Sequence, residues 1–96
     1  MRDVGMRRVT TEISKIIDNN DIVGSGRLTE DCIHNLEVDS DYRRHGFATE
    51  ILRELIQLGG KRLWVKTDNN DAISLYKKIG FVIFKEDGGY YEMRLP

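Results

Sequence analysis

The residues best placed to do chemistry lie where Asp39-Ser40-Asp41-Tyr42 runs into Arg43-Arg44-His45-Gly46-Phe47-Ala48. An amphipathic run follows at once, so Gly46 to Ala48 stand at a helix start. Backbone N–H groups there lack intrahelical partners and face the positive end of the macrodipole, which attracts an anion. Gly46 and the small Ala48 let a phosphate approach the backbone, and Arg43 and Arg44 add charge beside it. Asp39 and Asp41 oppose it from the strand side of the turn. An ordinary strand-to-helix turn with surface arginines explains the same residues. On physics alone the two readings stand even.

Other chemistries find less. Cys32, His34 and His45 form no paired ligand motif such as C-x-x-C or H-E-x-x-H, so no metal site is expected. Cys32 reads as a small strand hydrophobe rather than a nucleophile. Tyr90-Tyr91-Glu92-Met93 resembles an aromatic platform for bases, but strand packing accounts for it better.

The elements that position these residues follow from periodicity. Val9 to Ile17 is rich in β-branched residues and predicts a strand. Asp18-Asn19-Asn20-Asp21 reads as a turn, and Ile22 to Thr29 completes a hairpin. Gly24 and Gly26 within that strand signal a bend or close packing. In the third strand, Cys32 to Val38, the apolar residues are Ile33, Leu36 and Val38. Spacings of three and then two break a period of two; a β-bulge repairs the register, and burial on both faces is the alternative. From Gly46 to Leu58 the period becomes helical, with Ala48, Ile51, Leu52, Leu55 and Ile56 on one face and Gly59-Gly60 at the end. Arg62 to Thr67 is a short strand. Asp68-Asn69-Asn70-Asp71 offers N-caps for a helix over Ala72–Ile79, closed by Gly80. Phe81 to Lys85, the Gly88-Gly89 turn and Tyr90 to Leu95 form a last hairpin. The expected fold is α/β (α+β): a mixed, mostly antiparallel sheet with two helices, ordered β-β-β-α-β-α-β-β.

Composition bounds what this domain can be. Its 96 residues support one hydrophobic core, and residues 1–96 read as a single domain with 1–6 a loose end. Fifteen Lys or Arg against sixteen Asp or Glu give a formal charge of −1, which removes bulk electrostatics as a reason to bind nucleic acid or an anionic membrane. No stretch approaches the roughly 20 apolar residues of a membrane span, and the N-terminus lacks the apolar run of a signal peptide. One Cys excludes an internal disulfide framework and suits a reducing cytosol. A cytoplasmic location is expected.

Arg43-x-x-Gly46-x-Ala48 after an apolar strand resembles the acyl-CoA signature of the GNAT acetyltransferase superfamily, Gln/Arg-x-x-Gly-x-Gly/Ala. A second signature strengthens it: Asn69-x-x-Ala72-x-x-Leu75-Tyr76-x-x-x-Gly80-Phe81 is similar to the family's later helix motif, in the right order and after a strand. Ile22-Val23-Gly24 and Ile33-x-x-Leu36-x-Val38 match too, so the resemblance runs over about residues 12–95.

The resemblance implies acetyl-CoA as the acyl donor and direct acetyl transfer to a primary amine of a small molecule, peptide or protein. It implies that backbone groups near Leu36, Glu37 and Val38 bond the pantetheine arm like an added strand. Arg43 joins the basic lead-in, and the segment Arg44, His45, Gly46, Phe47, Ala48 and Thr49 holds the pyrophosphate. Asn69 stands where the family places a polar cofactor contact. Tyr76 matches the tyrosine that protonates the departing thiolate, a role the chemistry needs; a core aromatic is its plainer reading. For the base, the β-strand before the second helix holds no carboxylate. Glu30 lies where some relatives place a glutamate, with His34 and Glu37 as further candidates.

The sequence begins almost at the hairpin, where GNAT domains usually carry a strand and two helices first. Those elements wall the acceptor groove in relatives, so a homo-oligomer, a dimer, is expected to supply part of the wall. The rival reading is a non-catalytic CoA-binding or interaction module derived from such an enzyme.

Overall fold

The computed structural model describes residues 10–16, 21–43 and 46–96. The expected loose end, the turn at 18–20, the strand ends Val9 and Ile17, and Arg44 and His45 lie outside the described residues. Six strands and two helices follow in the expected order: β1 (Thr10–Ile16), β2 (Ile22–Thr29), β3 (Cys32–Val38), α1 (Phe47–Gln57), β4 (Arg62–Lys66), α2 (Asn70–Ile79), β5 (Val82–Asp87) and β6 (Tyr90–Arg94). The chain divides into two compact units, residues 1–60 and 61–96.

In the first unit, β2 pairs antiparallel with both β1 and β3. Register separates two faces. Thr10, Glu12 and Ser14 of β1 stand opposite Thr29, Arg27 and Ser25 of β2. Beyond these, His34 faces Arg27, Glu37 faces Ser25 and Cys32 faces Thr29, so this face is mostly polar. The other face carries Gly24, Gly26 and Leu28 and receives α1, whose Ile51, Leu52 and Leu55 are fully buried. The two glycines make that approach possible. A Cβ on Gly26 would stand 2.8 Å from Leu55 Cδ1, and one on Gly24 would stand 2.9 Å from the Glu37 carbonyl oxygen. The close packing expected from these glycines is therefore helix α1 against β2.

The expected bulge is present in β3. Gly24 faces Val38 and Ser25 faces Glu37, but Arg27 faces His34, so Asn35 and Leu36 together oppose Gly26. Asn35 adopts the left-handed region at φ 54°, which Asn tolerates better than most residues. The bulge lets Ile33 and Leu36, three apart in sequence, serve the same buried face.

In the second unit β6 is central, pairing antiparallel with β4 on one side and β5 on the other. Leu63, Val65 and Met93 are buried with Ile73 and Tyr76 of α2. Phe81 was expected to begin the last hairpin. It instead precedes β5 and is 1% exposed, while its ring meets Tyr76 edge-on at 6.1 Å. Strand β5 is solvent-exposed along its whole length. Register slips by one at Phe84, whose exposed ring lies 3.6 Å below the Arg94 guanidinium. Among the described residues, no helix is long and apolar enough to cross a membrane.

Candidate active site

The phosphate-cradle expectation falls on the first unit. After β3, Asp39 donates its N–H to the Val23 carbonyl at 2.8 Å, and its Oδ1 accepts from Asp41 N–H at 3.0 Å. Tyr42 N–H donates to the Asp39 carbonyl at 2.9 Å and closes a short 3-10 turn over Ser40–Tyr42, which the Asp39 side chain caps. The Asp39 carboxylate, which sequence reading set against an anion, is thus engaged within its own turn. Arg43 Nε makes a long bond of 3.5 Å to the Val38 carbonyl. The chain then reaches Gly46 at φ 81°, a left-handed conformation that requires Gly here and starts α1 without a side-chain cap.

That geometry leaves donors pointing outward at the helix start. Among the described residues the first intrahelical bond is Glu50 N–H to the Gly46 carbonyl. The amides of Ala48 and Thr49 precede it and have no partner among the described residues. Among the described residues, no atom beyond the chain neighbours lies within 4 Å of where a Gly46 Cβ would stand. These features suit a pyrophosphate.

Leu36, Glu37 and Val38 lead from the bulge toward that turn, with Glu37 exposed and Leu36 half-buried. Glu30 stands in the β2–β3 turn at φ 57°, exposed. His34 Nε2 lies 2.8 Å from Thr29 Oγ1, which lies 2.8 Å from Thr10 Oγ1. Sequence reading missed this chain, because it depends on hairpin register rather than on any motif.

The other two site residues belong to the second unit. Asn69 caps α2, its Oδ1 accepting from Ala72 N–H at 3.2 Å. This bond extends the helix two residues beyond the expected Ala72 start. Tyr76, 9% exposed, sits in the penultimate turn of α2. Burial pushes its phenol above the ordinary 10.0. Its hydroxyl has no hydrogen-bond partner among the described residues. A buried tyrosine usually finds one, so the plain core role leaves this hydroxyl unexplained. No group of three His, Cys, Asp or Glu gathers among the described residues as a metal requires.

A profile of the acetyltransferase (GNAT) family matches residues 7–81, which includes β1 to α2. The chain belongs to the GNAT acetyltransferase family. Both signatures therefore lie on elements this family shares. An uncharacterised N-acetyltransferase of Methanocaldococcus jannaschii is 38% identical over 55 residues, 51% of this chain and 24% of that protein. The N-alpha-acetyltransferase RimI of Mycobacterium tuberculosis is 38% identical over 52 residues, 51% of this chain and 33% of its own length. The aligned part is thus a third or less of either relative. The GNAT fold is matched by the crystal structure of the PaiA N-acetyltransferase from Thermoplasma acidophilum in complex with coenzyme A. Its TM-score is 0.77 at 21% identity, covering 90% of this chain and 60% of that one.

Proposed function

We propose that this GNAT chain transfers the acetyl group of acetyl-CoA directly to a primary amine of a small molecule, peptide or protein. The observation that carries the proposal is the buried Tyr76 hydroxyl, without a hydrogen-bond partner among the described residues, at the position of the family's tyrosine. An amine attacks the thioester carbonyl, the C–S bond breaks, and the thiolate leaves more readily with a proton in reach. A phenol raised by burial stays protonated at neutral pH and can supply that proton.

The donor is held by the first unit's backbone. The Ala48 and Thr49 amides and the segment around Gly46 take the pyrophosphate, with Arg43, Arg44, His45 and Phe47 beside it. Leu36, Glu37 and Val38 receive the pantetheine arm. Asn69 keeps its amide group as a donor while its oxygen caps α2. Exposed Val82, Ile83 and Phe84 on the outer strand β5 supply apolar surface for self-association. Light scattering at micromolar concentrations is expected to give a dimer, and a strictly monomeric mass rejects that part.

Calorimetric titration with acetyl-CoA tests the donor. The expected result is binding near micromolar, lost when Gly46 is replaced by a bulky residue; no binding overturns the proposal. Thiol release with spermidine and with a peptide bearing a free N-terminus tests turnover. Tyr76→Phe is expected to slow it with little loss of acetyl-CoA affinity, and unchanged turnover rejects the acid role.

A further inference from the structure

We infer that His34 accepts the proton of the attacking amine, an assignment that rests on the acetyl-transfer reading and completes it. The direction of the donor along β3 brings His34 into play. In the proposed donor site the pyrophosphate sits at the start of α1, and the pantetheine arm runs back along Val38, Glu37 and Leu36. Its far end, the thioester, therefore comes to the bulge at Asn35 and Leu36. The next residue along that path is His34. Two strand residues span about 6–7 Å, a distance that one water or the acceptor amine itself can bridge. Glu30, which the resemblance offers for the step, is four residues further back in the β2–β3 turn.

His34 is prepared for the role by its neighbours. Its Nε2 is 2.8 Å from Thr29 Oγ1, and Thr29 Oγ1 is 2.8 Å from Thr10 Oγ1. Nδ1 has no hydrogen bond to any described residue. Read as one chain, Nε2–H donates to the Thr29 hydroxyl and the Thr29 hydroxyl donates to Thr10. That assignment leaves the Nδ1 lone pair as the basic site. The ring is half-buried, on the polar face of the first unit with Glu12, Arg27 and Glu37, opposite the face that α1 covers. An amine approaching from the polar face meets Nδ1 without displacing the core between α1 and β2.

The step balances. The amine nitrogen bonds to the acetyl carbon and passes one proton to His34 Nδ1. The C–S bond breaks, and the sulfur takes a proton from Tyr76. The products are the acetamide and CoA thiol. The imidazolium then returns its proton to solvent and the phenolate regains one, so the enzyme is restored. Thr29 is a positioning residue: in this assignment its hydroxyl accepts from Nε2–H and holds the ring in place.

The test uses thiol release from acetyl-CoA with spermidine and with a free N-terminal peptide, alongside calorimetry. His34→Gln is expected to lower kcat about a hundredfold with acetyl-CoA affinity unchanged, and added imidazole to restore part of the rate to His34→Ala. Thr29→Val is expected to lower kcat and Thr29→Ser to recover it. The ring NMR signals lost in His34→Gln are expected to shift when acetyl-CoA binds the wild type, a readout independent of any acceptor. Unmoved ring signals in the bound state overturn the inference. So does a His34→Gln enzyme of normal rate, or loss of rate in Glu30→Gln instead. Failure of the wild type to bind acetyl-CoA, or to release thiol with either amine, overturns the underlying reading and this inference with it.

Discussion

Lys15 Nζ lies 2.7 Å from Glu50 Oε1, tying strand β1 to the first turn of helix α1. The same ammonium stands 5.8 Å from the centre of the Phe47 ring. Glu50 is acidic in the turn whose amides face the proposed pyrophosphate, so its carboxylate opposes the anion. Lys15 offsets that charge from outside the helix.

Removing Lys15 therefore acts on ligand binding more than on folding. Lys15→Ala is expected to weaken acetyl-CoA binding about two- to fivefold, less at high salt, and Lys15→Ala with Glu50→Ala to recover it. Calorimetry on both variants checks this. The Glu50 hydrogen bond and charge raise Lys15 above the ordinary 10.5. A raised lysine contributes its full stabilisation below 10.5 and loses it as pH climbs through the raised value. Thermal midpoints of wild type and Lys15→Ala are thus expected to converge only above about pH 10.5.

Gly24 and Gly26 separate packing from ligand binding. Alanine at Gly26 drives Cβ into the Leu55 side chain, which can yield; a loss of about 1–3 kcal/mol is expected, with acetyl-CoA affinity retained. Alanine at Gly24 meets the Glu37 carbonyl, backbone of the segment proposed to hold the pantetheine arm. That variant is expected to lose affinity as well as stability. Chemical denaturation and calorimetry, run in parallel, distinguish the two. Equal affinities would place the arm elsewhere.

The two glycines also show what was legible in the sequence. Their presence inside a strand signals a close approach, and the three-then-two spacing of Ile33, Leu36 and Val38 signals the bulge; both are local patterns. The cap is readable locally only as one of the candidates Asp68 to Asp71, and the structure selects Asn69. The Lys15–Glu50 pair joins residues 35 apart in sequence, and the Thr10–Thr29–His34 chain needs register across three strands. No spacing rule reaches either. Strand β5 runs two residues past the expected end at Lys85, because Glu86 and Asp87 carry no apolar alternation to mark them as strand. An outer strand exposed along its length needs no buried alternation, and charges there guard the edge.

Asn69 has a structural duty and a proposed binding one, and substitutions can divide them. Asn69→Asp keeps an oxygen to cap Ala72 N–H but loses the amide donor. It is expected to preserve stability while weakening acetyl-CoA binding. Asn69→Ala is expected to cost about 1 kcal/mol of stability as well. Equal binding in Asn69→Asp and wild type, measured by calorimetry, removes Asn69 from the donor site.

Glu92 is 2% exposed on β6, its Oε2 2.5 Å from Arg94 Nε. Arg94 is also the cation over Phe84, so one side chain serves the buried carboxylate and the β5 bulge. Arg94→Ala leaves the carboxylate buried without its cation and is expected to destabilise by about 3 kcal/mol. Glu92→Gln keeps a polar acceptor against a guanidinium that is partly exposed and is expected to cost less. Urea midpoints for the two variants check the asymmetry.

Tyr76 makes a prediction in pH. Burial raises its phenol above 10.0, so the neutral form needed for proton donation persists throughout the physiological range. If Tyr76 is the acid, kcat shows no alkaline loss from this group until pH exceeds about 10. The fold responds in the same region. Above pH 10 the unfolded chain can ionise this tyrosine while the folded one resists, so stability falls as pH rises there. Tyr76→Phe removes that contribution and is expected to flatten the alkaline slope of the thermal midpoint while lowering kcat at every pH. A kcat limb near pH 8 that disappears in Tyr76→Phe would show a phenol ionising far too early for its buried position. A kcat profile unchanged by the substitution would leave the thiolate to depart without it.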